Sequence, residues 1–364
     1  MTKKNKKTCH VVVVTGTRAE FGLLKPVMQA VAQHQKLRLS VVVVGMHWVT
    51  GTWREVTNAG FPIAGRVLMQ TPGKVGRAAD VAALGRGVTG LGKIFARLDP
   101  TLVMVLGDRI EALAAALAAG VGGYRLAHIH GGDRAEGVAD EAMRHAISKL
   151  AHLHFPATKK SRQRLIAMGE DPANVYDVGS PAIDGIKKIK PLNNGPQIVV
   201  VQHPIGADDA QEKQWMKQTL HAVQAMNCCY LAPNGDPGSK GIHLALQQAK
   251  VPVIQHLPRD RFASMLAGAK VLVGNSSAGL IEAAALKVPC VNIGPRQGGR
   301  ERANNVLDCD YNTKEIAAAI KKALTINRSK IKHPYGDGNT GKRIAQILAR
   351  YNWRQLTVRK QNTY

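Results

Sequence analysis

An α/β fold of two Rossmann-like domains facing each other across a cleft is the architecture this sequence predicts, and three observations predict it. The residues available for a core are aliphatic: 45% of the chain is hydrophobic but only 4% aromatic, with 36 glycines among 364 residues. That mixture suits parallel strands alternating with helices. Short apolar runs repeatedly end in glycine or polar turns and lead into helical patterns, which collects turn residues at the carboxyl edge of a parallel sheet, where ligands bind. The pattern occurs twice, on either side of the exposed connector Lys187 to Pro196, KKIKPLNNGP. The expected boundaries are 1–186 for an N-terminal domain, 197–340 for a C-terminal domain, and 341–364 for a helix and tail that pack back on the first domain.

In the first half, Cys9 to Val14 reads as a buried strand. Thr15 to Gly22 (TGTRAEFG) turns into a helix from Leu23 to His34, with Arg18 able to reach a phosphate and Glu20 beside it. A second strand, Leu39 to Val44, ends in the polar turn Gly45-Met46-His47. Apolar residues at Val81, Leu84, Val88, Leu91, Ile94 and Leu98 keep helical spacing, and they form either a core face or an interface. Asp99-Pro100 stops that helix. Leu102 to Leu106 is the next strand, ending at Gly107-Asp108-Arg109-Ile110-Glu111 before an alanine-rich helix, Ala112 to Ala119. Asp108 sits where a carboxylate serves equally as helix cap or catalyst. Leu126 to Ile129 leads into the glycine loop His130 to Gly137 (HGGDRAEG), and the helix after it carries Asp140, Glu141, Arg144 and His145. Asp140 with Arg144 and Glu141 with His145 are four apart and meet on the helix surface. A solvated face has the same pattern, but the carboxylates Asp133 and Asp140 flanking the loop favour a site. Leu153 to Thr158 and the helix Lys159 to Met168 close the domain.

In the second half, Gln197 to Gln202 is a strand ended by His203-Pro204. A helix from Gln211 to Met226, a strand from Cys229 to Ala232, a polar loop from Pro233 to Lys240, a strand from Val251 to His256 and a helix from Asp260 to Ala267 follow. The stretch Val271 to Ala285, VLVGNSSAGLIEAAA, organises the rest. A short strand delivers Asn275, Ser276, Ser277 and Gly279 to a helix opening at Leu280, Ile281 and Glu282. Unpaired N–H groups and the helix dipole would make that end an anion site, with Glu282 two turns along to accept from a ribose diol. The alternative is that the serines only cap the helix. Val288 to Ile293, the loop Gly294 to Arg302, His333 to Gly338 and a helix from Lys342 to Tyr351 complete the chain.

The formal charge of +25 invites a nucleic-acid reading. Outside Lys3, Lys4, Lys6 and Lys7 the basic residues are scattered and stacking aromatics are few, so nucleic acid is not the expected partner. Five cysteines without metal-like spacing point to a reducing compartment and no structural zinc. Val11 to Val14 is too short for a signal core, and no run approaches the roughly 18 residues needed to span a bilayer. A cytoplasmic protein with no membrane association is expected.

Nine stretches in order, VTGTRAEFGLLKP, VVGMH, VMVLGDRIE, HIHGGD, ADEAMRHAISKLAHLHF, VQHP, VGNSSAGLIE, NIGPRQGGRER and HPYGDG, resemble the hydrolysing UDP-N-acetylglucosamine 2-epimerases. These belong to the wider UDP-sugar 2-epimerase family of glycosyltransferase B architecture. The resemblance implies elimination of UDP to a glycal, then hydration to a free 2-epimeric sugar such as N-acetylmannosamine, which feeds the synthesis of sialic-acid-like sugars. It implies acid/base positions at Asp108, Asp133 and Asp140, diphosphate ligands at Arg18, His203, Ser276 and Ser277, and a ribose ligand at Glu282. Glu20, His47, Arg109, Arg144, His145, Asn275, Gly279 and Arg302 join the expected substrate-binding set. No metal and no cofactor are implied, and a homodimer or homotetramer is.

Two departures stand out. Asp133 replaces the usual glutamate, withdrawing the carboxylate by about 1.5 Å, and Ile205-Gly206 replaces Glu-Thr after His203-Pro204. A diacetamido nucleotide sugar, as in legionaminic acid synthesis, is therefore the alternative substrate. A glycosyltransferase and a non-catalytic nucleotide-sugar binder on the same fold are the alternative functions.

Overall fold

The computed structural model describes residues 8–74, 76–134, 140–255 and 257–363. Strand β1 (Cys9–Thr15) is buried at every position. Its valines divide between two cores, Val11 and Val13 on one face and Val12 and Val14 on the other, because successive strand side chains point to opposite faces of a sheet covered on both sides. The Thr17 hydroxyl accepts from the Glu20 N–H and caps α1 (Arg18–Ala32), so the helix starts well before the expected Leu23, with Arg18 and Glu20 in its first turn.

Next come β2 (Leu37–Val44), α2 (Met46–Thr50), α3 (Trp53–Asn58), β3 (Ile63–Val67), α4 (Arg77–Leu98), β4 (Leu102–Leu106) and α5 (Ile110–Gly122). The first alternation closes with β5 (Leu126–Ile129), α6 (Asp140–Leu150), β6 (Leu153–Phe155) and α7 (Lys159–Ala167). Two expectations are corrected here. The turn expected at Gly45-Met46-His47 is the start of a short helix. The apolar stripe loses only its first member: Val81 is 71% exposed, while Leu91 and Ile94 are buried and Leu84, Val88 and Leu98 pack against the same core, joined by Ala83, Gly87 and Phe95. Small residues let α4 approach α5, where a Cβ on Gly87 would stand 2.8 Å from that of Ala114.

The second alternation runs β7 (Ile198–Val201), α8 (Asp209–Val223), β8 (Cys228–Leu231), α9 (Ser239–Gln248), β9 (Val253–Ile254), α10 (Arg259–Gly268), β10 (Val271–Gly274), α11 (Glu282–Ala285), β11 (Cys290–Ile293), β12 (Val306–Cys309), α12 (Thr313–Ala323) and α13 (Thr340–Arg350). Each half forms a six-stranded parallel sheet, ordered β3-β2-β1-β4-β5-β6 and β9-β8-β7-β10-β11-β12. Counted within its own half, each sheet has the same doubly wound order 3-2-1-4-5-6.

The chain divides into two units. One takes the residues up to Asp133, Asp140–Asp184 and the return segment from Gly336; the other is built on Gly185–Tyr335. Helix α13 belongs to the first unit. Its opening Thr340 and Gly341 N–H groups donate to the two oxygens of Asp184 at 2.9 and 2.7 Å, and Ile344, Ala345 and Leu348 share a core with Leu24, Val27 and Met28 of α1. Further on, the Lys360 ammonium meets Glu170 at 2.5 Å and the carbonyls of Ser148 and Lys149 at 3.0 and 2.7 Å, tying the tail to the end of α6. Among the described residues no helix is long and apolar enough to cross a membrane.

Candidate active site

Strand order reverses between β1 and β4 in the first unit and between β7 and β10 in the second. The loops leaving the carboxyl ends diverge at such a point and leave room for a ligand. Gly16-Thr17-Arg18 and Gly107-Asp108-Arg109 leave the first reversal; Gln202-His203 and Asn275-Ser276-Ser277 leave the second.

At the first reversal, Asp108 is ion-paired with Arg144 of α6, the carboxylate 22% exposed and the guanidinium 2%. Arg144 also donates to the Asp133 carbonyl at 3.1 Å. Arg144, expected to bind substrate, thus joins two of the catalytic candidates from a buried position. Asp133 is likewise turned inward: one oxygen lies 3.0 Å from His130 Nδ1 and the other accepts from Ser161 Oγ at 2.8 Å. His130 in turn bonds Ser180 Oγ at 2.9 Å. His130 holds φ at +64°, a left-handed conformation costly for any residue but glycine and kept here by bonds on both ring nitrogens. The backbone of Asp140 opens α6, one turn before Arg144; its side chain lies outside the described residues.

Two more expected ligands are interior. His47 has no exposed surface and is bracketed by Thr15 Oγ1 at 3.2 Å and Thr52 Oγ1 at 2.9 Å; burial pushes its pKa down to about 4. Glu20 accepts the Gly16 N–H at 3.0 Å, and burial, offset in part by that bond and reinforced by the charge of Glu111, pushes it up to about 8. It therefore carries a proton at neutral pH and adds no charge to a substrate site. Glu20→Gln, which copies the protonated form, is expected to raise stability at pH 8 by on the order of 4 kcal/mol and at pH 5 by no more than about 1 kcal/mol. Urea unfolding at the two pH values checks this, and a loss at pH 8 would contradict it. His145, half-buried, lies 3.6 Å from Glu141 on α6, the solvated-face alternative. Arg18 and Arg109 stay at the edge: Arg18 is half-buried near Glu55, and Arg109, 40% exposed, stands 3.8 Å from Glu111.

Glu111 was not a candidate. It is 1% exposed, accepts from Gln70 at 2.8 Å, and occupies the space that side chains on Gly16 or Gly45 would need. Its signal was its place in the turn after β4.

At the second reversal, Gly274 crosses from β10 with φ +135°, and a Cβ there would fall 2.0 Å from the Val201 carbonyl. Only glycine fits, and the crossing puts Asn275 beneath the end of β7. Both ends of the Asn275 amide are spent on His203, accepting its N–H at 2.7 Å and donating to its carbonyl at 2.8 Å. Asn275 thus clamps the end of β10 to the end of β7. His203 Nδ1 accepts the Asn234 N–H at 3.1 Å, which leaves the ring proton on Nε2. Burial, helped by Arg296, pushes its pKa down to about 3, so it is a neutral donor.

The helix expected at Leu280 is corrected: Ser277–Gly279 form a single 3-10 turn, and α11 has only four residues. The Ser276 hydroxyl caps Ala278 at 3.3 Å, and the N–H groups of Gly279, Leu280 and Ile281 bond to Ser276 and Ser277 carbonyls. The dipole at this edge is therefore short, and the Gly279, Leu280 and Ile281 N–H groups are already bonded. Ser277 is half-buried, as is Glu282 at the start of α11. Gly279 is glycine for packing, since a Cβ would lie 2.3 Å from Cys290 Sγ. Arg302, expected to bind substrate, pairs with Asp308 at 2.9 to 3.2 Å. Arg296, missed in the sequence, reaches the Asn275 carbonyl at 3.4 Å.

A family model described as UDP-N-acetylglucosamine 2-epimerase matches residues 29–349. The chain is 35% identical to UDP-N,N'-diacetylbacillosamine 2-epimerase (hydrolyzing) of Legionella pneumophila, over 97% of this chain and 99% of that protein. It is 30% identical to UDP-N-acetylglucosamine 2-epimerase of Neisseria meningitidis, over 93% and 94%. Its fold matches the crystal structure of UDP-GlcNAc 2-epimerase from Neisseria meningitidis bound to UDP-GlcNAc with a TM-score of 0.80 at 19% identity, covering 94% of this chain and 100% of that one. With two doubly wound sheets, a family model matched over most of the sequence and relatives aligned over nearly their whole length, the chain belongs to the UDP-N-acetylglucosamine 2-epimerase family.

Proposed function

We propose that the protein is a hydrolysing 2-epimerase of a UDP-linked 2-acetamido sugar, with UDP-N-acetylglucosamine as substrate and N-acetylmannosamine and UDP as products. The observation that carries this reading is the gathering of acid/base and phosphate-binding candidates at the two strand-order reversals of a chain from this family. In the first step a carboxylate takes the C2 proton while the C1–O bond to the diphosphate breaks, leaving a C1–C2 double bond and free UDP. Water then adds, hydroxyl to C1 and a proton to C2 from the opposite face. The C2–H is weakly acidic, so its removal must be concerted with departure of the diphosphate.

Asp108, partly exposed and held by Arg144, and Asp140, one turn from Arg144 on α6, are assigned to the proton transfers. Asp133 is assigned to holding the loop, because both its oxygens are already bonded. His203 Nε2–H, Ser276 and Ser277 are assigned to the departing diphosphate, where fixed donors stabilise developing charge. Glu282 is assigned to the ribose.

UDP-N,N'-diacetylbacillosamine is the second substrate to try. The Legionella relative carries that sugar in its name, and Ile205-Gly206 departs from the family's Glu-Thr beside His203.

Incubation with each nucleotide sugar in deuterated water is expected to release UDP and a free sugar carrying deuterium at C2. UDP release that requires an added acceptor would identify a glycosyltransferase instead, and intact, unlabelled substrate across the panel would rule out an epimerase.

A further inference from the structure

We propose that the amino edge of the second sheet is a docking face for an anionic lipid surface. All strands of a parallel sheet start on one edge, so the segments leading into β7 to β12 share the side opposite to His203 and the serines after β10. Lys250, Lys270 and Lys287 stand just before β9, β10 and β11. The connector into β7 adds Lys187, Lys188 and Lys190. Lys321 and Lys322, in the last turn of α12, and Lys330 and Lys332 beyond it complete the set, and all ten are exposed. None of the segments 185–197, 247–253, 267–271, 284–290 and 319–335 contains an aspartate or glutamate. Asp208, Asp236, Asp260, Asp310 and Glu315 of the same unit follow strands or open helices on the other edge.

The lysine-bearing segments are fixed to one another. Arg328 donates to the carbonyls of Lys287 at 2.7 Å, Ala269 at 3.3 Å and Ala267 at 3.4 Å, tying the turn after α12 to the ends of α10 and α11. The Lys332 N–H donates to Asn304 Oδ1 at 2.8 Å, close to the start of β12. In the connector, Ser264 Oγ donates to the Lys190 carbonyl at 2.6 Å and the Leu192 N–H to the Ser264 carbonyl at 2.9 Å. Six strands set about 4.8 Å apart spread these charges over roughly 24 Å. That is several Debye lengths of about 8 Å, the footprint of a charged plane and not of a pocket for one ion.

Two exposed leucines on the same edge favour lipid over nucleic acid. Leu192 in the connector is 43% exposed and Leu324 at the end of α12 is 46%. Polybasic attraction and apolar insertion are the two signals that together hold a protein on an anionic bilayer. Nucleic-acid surfaces instead use arginine forks and rings that stack on bases. Here the one arginine of these segments, Arg328, is spent on carbonyls, and their two rings, His333 and Tyr335, stack on each other with Tyr335 buried. The lack of a spanning helix bears on crossing a bilayer, not on resting against one. In this orientation the His203 edge faces away from the lipid.

The test is flotation of the full chain with vesicles of phosphatidylcholine alone and of phosphatidylcholine mixed with phosphatidylglycerol, each variant first checked for a native melting profile. Wild-type protein is expected to float with the anionic vesicles only, and to detach as salt rises from about 0.05 to 0.5 M. Lys270→Glu with Lys332→Glu is expected to weaken binding at least about 25-fold, at about fivefold per lysine. Lys187→Glu with Lys188→Glu carries the test if that pair does not fold. Lys159→Glu with Lys160→Glu, the same charge change on exposed positions of α7 in the other unit, is expected to weaken binding by less than about fivefold. Leu192→Ser with Leu324→Ser, which changes no charge, is expected to weaken it about tenfold. The proposal is overturned if the wild type ignores anionic vesicles, if the charge changes on the two units weaken binding equally, or if the serine pair binds vesicles as the wild type does. In that last case, tight binding of duplex DNA would identify the face as a nucleic-acid surface.

Discussion

Replacing Arg144 with methionine is expected to lower the free energy of unfolding by about 3 kcal/mol and turnover by at least about 100-fold. Arg144 is almost wholly buried, and two of its partners, the Asp108 carboxylate and the Asp133 carbonyl, belong to loops after two different strands. Methionine keeps much of the volume and removes both bonds, leaving a carbonyl in a buried loop and a carboxylate without its counter-charge. Helix α6 remains tied nearby, since Ser148 Oγ lies 3.0 Å from His128 Nδ1 and His128 Nε2 donates to the Gly107 carbonyl at 2.7 Å. The fold should therefore survive while Asp108 loses its orientation. A shift of even 1 Å in a reacting group costs on the order of a hundredfold in rate. Lysine at 144 keeps the charge but cannot span both acceptors, so Arg144→Lys should recover stability more than turnover. Urea unfolding and rates of UDP release measure the two effects. Stability within about 0.5 kcal/mol of wild type, together with unchanged turnover, would falsify the fastening role.

Lowering the pH from 6.5 to 4 is expected to cost about 3 kcal/mol of stability from three buried groups alone. Burial, partly offset by the bond to the Gly107 carbonyl, pushes the pKa of His128 down to about 3, and burial holds His47 near 4. Both folded values lie below the ordinary value of 6.5, so the unfolded chain takes up protons first. Their contribution is complete above pH 6.5 and is lost as the pH falls toward 4 and then 3, by about 3 kcal/mol for each at pH 4. Glu20 works in the opposite sense. Its folded value, about 8, lies above its unfolded one, so acidification removes a penalty of about 3 kcal/mol between pH 6.5 and 4.

Below pH 4.5 Glu20 has little left to give, and Glu170 joins the histidines. Burial pushes Glu170 up, but His154 and Lys360 pull it down further, to about 2, so its contribution, present above the ordinary carboxylate range, is lost as the pH approaches 2. The unfolding midpoint in urea should fall gently from pH 6.5 to 4.5 and steeply below. A midpoint that stays level or rises to pH 4 would contradict the low values of these histidines.

Much of the fold was legible because apolar runs closed by glycine or polar turns leave little choice. Leu102 to Leu106 and Leu126 to Ile129 were read to the residue and are β4 and β5. Strand β12, Val306–Cys309, was not read: it is an edge strand with half-exposed positions, so it lacks the uninterrupted apolar run of a central one. The helix expected at Leu280 begins two residues later and lasts only four residues, after a single 3-10 turn, a shortening that no local pattern records. The candidate site was legible as a set of loops and not as a set of exposed groups. Strand-then-polar-turn order puts residues on the ligand edge, but whether a carboxylate or guanidinium stays available depends on partners far away in sequence. Asp108 with Arg144, Glu20 beside Glu111, and His130 with Ser180 are all pairings of that kind.

The return of α13 to α1 has a consequence for biosynthesis. On the ribosome, the segment 185–335 is finished while the N-terminal lobe still lacks its last helix, so the later lobe can mature first, reversing the usual amino-to-carboxyl order. Until α13 emerges, Leu24, Val27 and Met28 have no cover from Ile344, Ala345 and Leu348, and the nascent chain presents a greasy stripe that a chaperone would recognise. Premature stop codons just upstream of Thr340 should then yield insoluble product, even though such truncations leave every proposed substrate-binding residue in place.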